Sequence, residues 1–207
     1  ASKAKRLSGV IAAVDDERVY DALAANGGKA MMTAKDHPTG TDRLAEVAAA
    51  HPEAELIINV QGDEPLIEPA LIDALAAAFD DDPELQMATV KSPMTDVEEM
   101  KNPNNVKVVT DKKGYALYFS RSLLPYPREN TGAVVYKHIG IYAYKRDFLL
   151  NYAKMAPTQL EQTESLEQLR ALENGYKIKV IATDFHFVGV DTPEDLVEVN
   201  RLYKERL

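Results

Sequence analysis

From Val10 to Val90, short apolar runs alternate with amphipathic stretches, and this rhythm restricts the chain to a sheet covered by helices. Val10-Ile11-Ala12-Ala13-Val14 reads as a buried strand. Asp15-Asp16-Glu17 then places negative charge on the first turn of a helix reaching about Ala25, where the helix dipole favours it. Asn26-Gly27-Gly28 stops that helix, a short strand passes through Ala30-Met31-Met32, and Asp42 to Ala50 is helical with Leu44, Val47 and Ala48 on one face. Leu56 to Val60, a helix from Pro69 to Phe79 and a strand from Met87 to Val90 continue the pattern. The expectation is an α/β fold with a mixed, mainly parallel sheet and helices on both faces. With 207 residues, 45% of them hydrophobic, the chain can bury one core, so a single domain over 1–207 is expected.

The rhythm breaks in the middle. Val106 to Val109, Ala116 to Ser120 and Lys137 to Tyr144 read as strands that follow one another without helices, the first two joined by the turn Asp111-Lys112-Lys113-Gly114. These predict an inserted strand-rich lobe over about 102–145, pairing antiparallel beside the main sheet, with 125–131 as an exposed loop. Helices from Arg146 to about Met155 and from Thr163 to Asn174 follow, then a strand from Ile178 to Ile181. A last helix is announced by Thr192 as N-cap, Pro193 at its first position and Asp195 as a capping-box acid. At the front, Ala1 to Leu7 reads as the tail of a helix closed by Gly9.

Charge narrows the partners. A formal net charge of −9 repels nucleic acid and anionic membrane surfaces, so an anionic substrate has to be met by local cations or a metal ion. The absence of cysteine excludes disulfides, thiolate catalysis and Cys-ligated zinc, and fits a reducing compartment. No apolar run approaches a membrane span, and the cytoplasm is the expected address.

Candidate chemistry gathers at element boundaries. The run Leu56-Ile57-Ile58-Asn59-Val60-Gln61 ends in Gly62-Asp63-Glu64-Pro65, so an acid pair stands at a strand's carboxyl end, where open α/β sheets bind ligands. Asp191 stands before the last helix, whose capping Thr192 and Asp195 already supply. Two such acids suit Mg2+, which takes one or two carboxylates together with waters and phosphate oxygens. Loop or cap roles remain the alternative for both. Thr39, Gly40, Thr41 and Arg43 surround a helix start that offers hydroxyls and free N–H groups to a base or phosphate, or is simply a capped helix. Lys107 and Arg121 are basic candidates for an acidic ligand, with a solvated strand face as the other reading of Lys107. His138 and Tyr142, four apart in a strand, share a face that could hold sugar hydroxyls or form a half-buried contact. Glu167-Gln168 on a helix read as either pocket or surface.

These stretches together resemble the 3-deoxy-manno-octulosonate (Kdo) cytidylyltransferases. The resemblance rests on VQGDEP, the GT-D-RLAEV loop and helix, NPNNVKVV followed by GYALYFSR, then KHIGIYAY, LEQLR and GVDTPEDL, in this order from about Val10 onward. It implies a Rossmann-like nucleotidyltransferase core with an inserted dimerisation lobe, acting as a magnesium-dependent homodimer in lipopolysaccharide synthesis. It also implies transfer of CMP from CTP to the anomeric hydroxyl of Kdo, with release of pyrophosphate. Carried onto matching positions, Asp63 and Asp191 are the metal ligands and Gln61 lies beside the reacting centre. Thr39, Gly40, Thr41 and Arg43, with Gln61, form the nucleotide side. Arg121, His138, Tyr142, Glu167 and Gln168 form the sugar side, Arg121 taking the carboxylate.

Relatives of that family open with a strand and a Gly/Arg/Lys-containing loop for the triphosphate, and the sequence lacks a counterpart, on the order of 30 residues. The expectation is that this segment is omitted from the chain rather than foreign to the protein. Two alternatives follow: a cytidylyltransferase for a related acid sugar such as 8-amino-Kdo, and a catalytically incompetent nucleotide-binding fragment if the loop is truly absent.

Overall fold

A computed structural model describes residues 1–129, 131–185, 187, 189–190 and 192–205. In chain order the elements are β1 (Ala12–Val14), α1 (Glu17–Ala25), β2 (Ala30–Met32), α2 (Gly40–Ala50), β3 (Leu56–Asn59), α3 (Pro69–Asp81), β4 (Met87–Met94) and α4 (Val97–Lys101). Then come β5 (Lys107–Thr110), β6 (Ala116–Ser120), β7 (Val135–Lys145), α5 (Arg146–Tyr152), α6 (Gln159–Glu164), α7 (Gln168–Glu173), β8 (Ile178–Ala182) and α8 (Pro193–Glu205).

The expected strand–helix alternation is present, and local chemistry accounts for its punctuation. Thr39 caps α2 by accepting from the Asp42 N–H, Pro69 opens α3 at a position whose N–H has no intrahelical partner, and Thr192 and Asp195 exchange bonds of 2.9 and 3.2 Å as a capping box for α8. Residues 1–7 are not the helix tail expected. They form turns laid against α3, where the N–H groups of Lys5 and Arg6 close on the Asp73 carboxylate at 2.8–3.1 Å and Leu7 packs beside the α3 cluster. A second difference lies after β7. The single helix expected over 163–174 is two short helices separated at Ser165, which sits in the left-handed region at φ 51°.

β1 and β2 pair in parallel, and the remaining six strands form one mixed sheet in the order β6-β5-β7-β4-β8, with β3 also on β7. β7 runs antiparallel to β4 along its whole length. On its other edge it takes β3 at Tyr142–Lys145 and β5 at Lys137. This corrects the lobe boundary. Residues 135–145 are not beside the main sheet but in the middle of it, and only β5 and β6 extend outward. The eleven residues of β7 can serve both regions because one strand has two edges along its full length.

β7 is buried on both faces, and period two divides its side chains. Ile139, Ile141 and Ala143 join Ala88 and Val90 of β4 under Leu71, Ile72 and Leu75 of α3. Tyr142 and Tyr144 face the opposite cluster with Ala48 of α2, Phe148, Leu149 and Tyr152 of α5, and Leu169 of α7. Full burial of each large α3 side chain contributes about 1.5–3 kcal/mol. A bulge between Thr89 and Val90 leaves Gly140 and Ile141 without partners in register, and Thr89 Oγ1 reaches the carbonyls of Ile139 and Ile141 at 3.1 and 2.8 Å.

Lys107 is neither solvated nor a ligand cation. It is fully buried, and its Nζ donates to the carbonyls of Asn102 (3.0 Å), Asn105 (2.6 Å) and Arg121 (2.5 Å), tying the turn before β5 to the end of β6. Replacing it with methionine keeps the stem and removes all three donors. Lys107→Met should cost about 3 kcal/mol, read as a lower urea midpoint with an unchanged slope.

Candidate active site

The aromatic row on one face of β7 floors the site. Ring centroids step from Phe119 to His138 (5.0 Å), to Tyr142 (5.4 Å), to Tyr144 (5.7 Å), and on to Phe148 and Tyr152 of α5. His138 and Tyr142 therefore share a face, as their spacing predicts. Above the tyrosines lies a cavity of about 210 Å³ lined by Gly40, Thr41, Asn59, Gln61, Met87, Tyr142, Tyr144, Tyr152, Glu167 and Gln168.

Six candidate residues from four distant stretches thus meet: Gly40 and Thr41 from α2, Gln61 from the end of β3, Tyr142 from β7, and Glu167 with Gln168 at the start of α7. The Thr41 hydroxyl donates to Glu167 Oε2 at 2.9 Å, joining positions 126 residues apart. Glu167 Oε1 and Gln168 Nε2 are buried and have no hydrogen-bonding partner among the described residues. Both residues line the cavity, and an unmet acceptor and donor suit a hydroxylated ligand, because leaving them unmet costs about 1–3 kcal/mol each. Burial raises the Glu167 pKa above the usual carboxylate value, opposed by the Thr41 hydrogen bond and the Arg170 charge.

The other candidates lie outside the cavity lining. Thr39 caps α2 and bonds the Asp42 carboxylate at 2.7 Å. Arg43 reaches Thr33 and Asp15, both at 2.6 Å, and so fastens α2 to the ends of β1 and β2. Arg121 donates through its guanidinium to the carbonyls of Glu164 (2.7 Å), Pro103 (3.1 Å) and Ser165 (3.3 Å), while its own N–H bonds a Glu164 carboxylate oxygen at 2.9 Å. It holds the break between α6 and α7, two residues before Glu167, and in this structure its donors are turned to backbone rather than to the cavity.

Asp63 is exposed, and its carboxylate makes no hydrogen bond or ion pair with the described residues. Its carbonyl accepts the Val190 N–H at 2.9 Å, and Gly189 packs beside it. Asp191 itself lies outside the described residues. No group of three or more described His, Cys, Asp or Glu side chains forms a metal cluster.

Asn59, Met87, Tyr144 and Tyr152 complete the lining but were not singled out in the sequence. Asn59 had a signal, a polar residue in the otherwise apolar run Leu56–Val60, and Tyr144 lies one strand period from Tyr142. Met87 and Tyr152 carry none.

A cytidylyltransferase family model matches residues 1–178. The 3-deoxy-manno-octulosonate cytidylyltransferase of Fusobacterium nucleatum is 54% identical over 204 residues, covering 99% of this chain and 83% of the relative. The protein of the same name from Geotalea daltonii is 51% identical, covering 99% and 85%. Among solved structures, CMP:2-keto-3-deoxy-manno-octonic acid synthetase complexed with CTP superposes with a TM-score of 0.94 at 44% identity, covering 100% of this chain and 85% of that one. Fold and family model together define an α/β nucleotidyltransferase of the cytidylyltransferase class. Within that class, the chain belongs to the 3-deoxy-manno-octulosonate cytidylyltransferases.

His138 gives a test that needs no substrate. Burial lowers its pKa from 6.5 to about 3, with Nε2 3.0 Å from Thr89 Oγ1, so the folded state holds the ring neutral. Between these values the unfolded chain binds a proton that the native chain does not. The contribution is therefore full above pH 6.5 and is lost as pH falls toward 3, by about 1.4 kcal/mol per pH unit. Urea unfolding between pH 7 and 5 should show this slope in the wild-type chain and a flatter one in His138→Gln.

Proposed function

We propose that the chain transfers CMP from CTP to the anomeric hydroxyl of Kdo, releasing pyrophosphate, and that the 210 Å³ cavity is the sugar subsite. The observation that carries this reading is the open pair Glu167 Oε1 and Gln168 Nε2 beside the row of tyrosines. Taken with the family membership, it supplies hydroxyl recognition of the kind that a polyhydroxylated acid needs. In the reaction the anomeric oxygen bonds the α-phosphorus, the bond to the β-phosphate bridge breaks, and the hydroxyl proton is released.

The chain's own residues bind and align. The α2 N-terminus, with Gly40 and Thr41 at the cavity, offers N–H groups to the nucleotide, and Gln61 stands between nucleotide and sugar sides. Glu167 accepts from and Gln168 donates to the sugar, while Tyr142 packs beneath. Holding two reactants in line removes much of the entropic barrier, and such chemistry asks little more of a protein than position and charge.

Asp63, with Asp191, would hold Mg2+, which when bound supplies neutralisation of the triphosphate's charge. An exposed carboxylate without a partner among the described residues, next to a strand end, suits a hard cation that keeps several waters. A cytoplasmic role in lipopolysaccharide synthesis is proposed with the family membership. A homodimer is also proposed. Leu117 of the edge strand β6, Tyr126, Val134 and Leu160 of α6 are large apolar side chains left exposed.

CMP-Kdo formation tests the reading. Gln168→Ala should raise the Kdo KM about tenfold and leave the CTP KM unchanged, the cost of one lost buried donor. Asp63→Asn should lower kcat at least roughly a hundredfold across a magnesium titration. Equal weakening of both substrates by Gln168→Ala would remove it from the sugar subsite, and normal turnover of Asp63→Asn would remove it from the metal. Light scattering at micromolar concentration should return twice the chain mass, and a monomer would exclude the dimer.

A further inference from the structure

Beneath the cavity, one guanidinium lies between two acids. Arg170 of α7 is buried, and so is Glu161 of α6. Arg170 donates from Nε to Glu161 Oε2 at 2.8 Å and from its second terminal nitrogen to Glu161 Oε1, forming a bidentate pair. The Thr158 N–H adds a bond of 3.0 Å to the same carboxylate. The remaining terminal nitrogen stops 3.6 Å from Glu167 Oε1, beyond hydrogen-bonding distance, and reaches the Tyr152 carbonyl at 3.4 Å. That nitrogen's near neighbour is the same Glu167 oxygen that has no partner.

The arrangement divides one positive charge unequally. Glu161 takes the two strong bonds, and Glu167 keeps only attraction at a distance. Closed on the arginine, that oxygen would give one of its two lone pairs to the guanidinium and keep fewer for a ligand. With no cation nearby, burial would favour the protonated carboxyl, a weaker acceptor. We propose that Glu161 and Arg170 are positioning residues for the sugar subsite, Glu161 holding the Arg170 guanidinium back so that Glu167 stays near its positive charge yet open to a ligand hydroxyl.

The surroundings of Glu167 contain little else that could perform this task. Thr41 and Asp42 face it from α2, Tyr142 and Tyr144 from β7, Tyr152 from α5, Glu161 from α6, and Gln168 and Arg170 from α7. Asp42 and Glu161 oppose its charge and Arg170 favours it. Tyr152 fixes the backbone at that point, its hydroxyl donating to the Glu167 carbonyl at 2.6 Å. Burial keeps the tyrosine hydroxyls protonated through the neutral range, so Arg170 is the cation in this set.

The inference rests on the proposed sugar subsite, and the experiment has one arm that does not. Carboxyl-carbon NMR of the ligand-free chain, labelled at glutamate, reads the Glu167 titration midpoint directly. Glu161→Gln keeps an oxygen for Arg170 but removes the competing charge, so the Glu167 midpoint should move down as the guanidinium closes on it. Arg170→Gln should move it up. Packing loss alone would not drive the two in opposite directions. In turnover, Glu161→Gln should raise the Kdo KM about tenfold with CTP KM and kcat unchanged, as expected when one buried acceptor is withdrawn. A Glu167 midpoint unmoved or raised in Glu161→Gln overturns the charge division, and needs only that variant to fold. A lowered midpoint with an unchanged Kdo KM overturns its bearing on the sugar. A wild-type chain that titrates as described but forms no CMP-Kdo overturns the functional reading instead.

Discussion

One antiparallel strand buried on both faces is the constraint on which the rest depends. β3 and β4 both run against β7, so they are parallel to each other although they do not touch across it. Placing β7 between them satisfies the inward edges of both at once, and each of its side chains must suit one of two cores. The aliphatic side locks α3 in place. The aromatic side does more, because tyrosines bring a rigid apolar body and a polar tip to the same position. Stacking from β6 to α5 leaves a floor that cannot collapse into the space above it, and the cavity follows from that stiffness.

Polar groups around this floor divide into those that finish the fold and those left open. Lys107, Arg43 and Arg121 spend their donors on the protein itself, joining strand ends, turns and the break between α6 and α7. That break sets the start of α7, with Ser165 turning the chain in a conformation most side chains avoid. Glu167, half-buried, and Gln168, buried, come next, each with a buried polar atom left unbonded. Beyond this left-handed turn, an unmet donor and acceptor concentrate desolvation where a ligand can relieve it. The unequal sharing of Arg170 between Glu161 and Glu167 belongs to the same economy of charge in a chain of net −9.

Legibility followed the range of the interactions. Alternation before Val90, the cap at Thr39 and the box of Thr192 with Asp195 are contacts within a few residues, and they were readable. The helix break at Ser165 was not, because one of the groups that hold it is Arg121, more than forty residues away. Lys107 alternates with valines and so reads as a solvated face, but the turn before β5 and the residue after β6 supply three carbonyls to it. Asn59 was visible as a polar residue in an apolar run, whereas nothing local marks Met87 or Tyr152 as walls of a cavity.

Sequence by itself determined the α/β class, the order and caps of most elements, and the motifs that place the chain among the 3-deoxy-manno-octulosonate cytidylyltransferases. These depend on periodicity, on capping and on residues that stand at recognisable spacings. Tertiary structure decided that 135–145 is the middle of the sheet, that Lys107 and Arg121 serve backbone carbonyls and Arg43 the side chains of Thr33 and Asp15, and that Thr41 meets Glu167. Strand order and the partner of a buried charge are set by which surfaces exclude water together. That is a property of the assembled layers, and no local pattern along the chain encodes it.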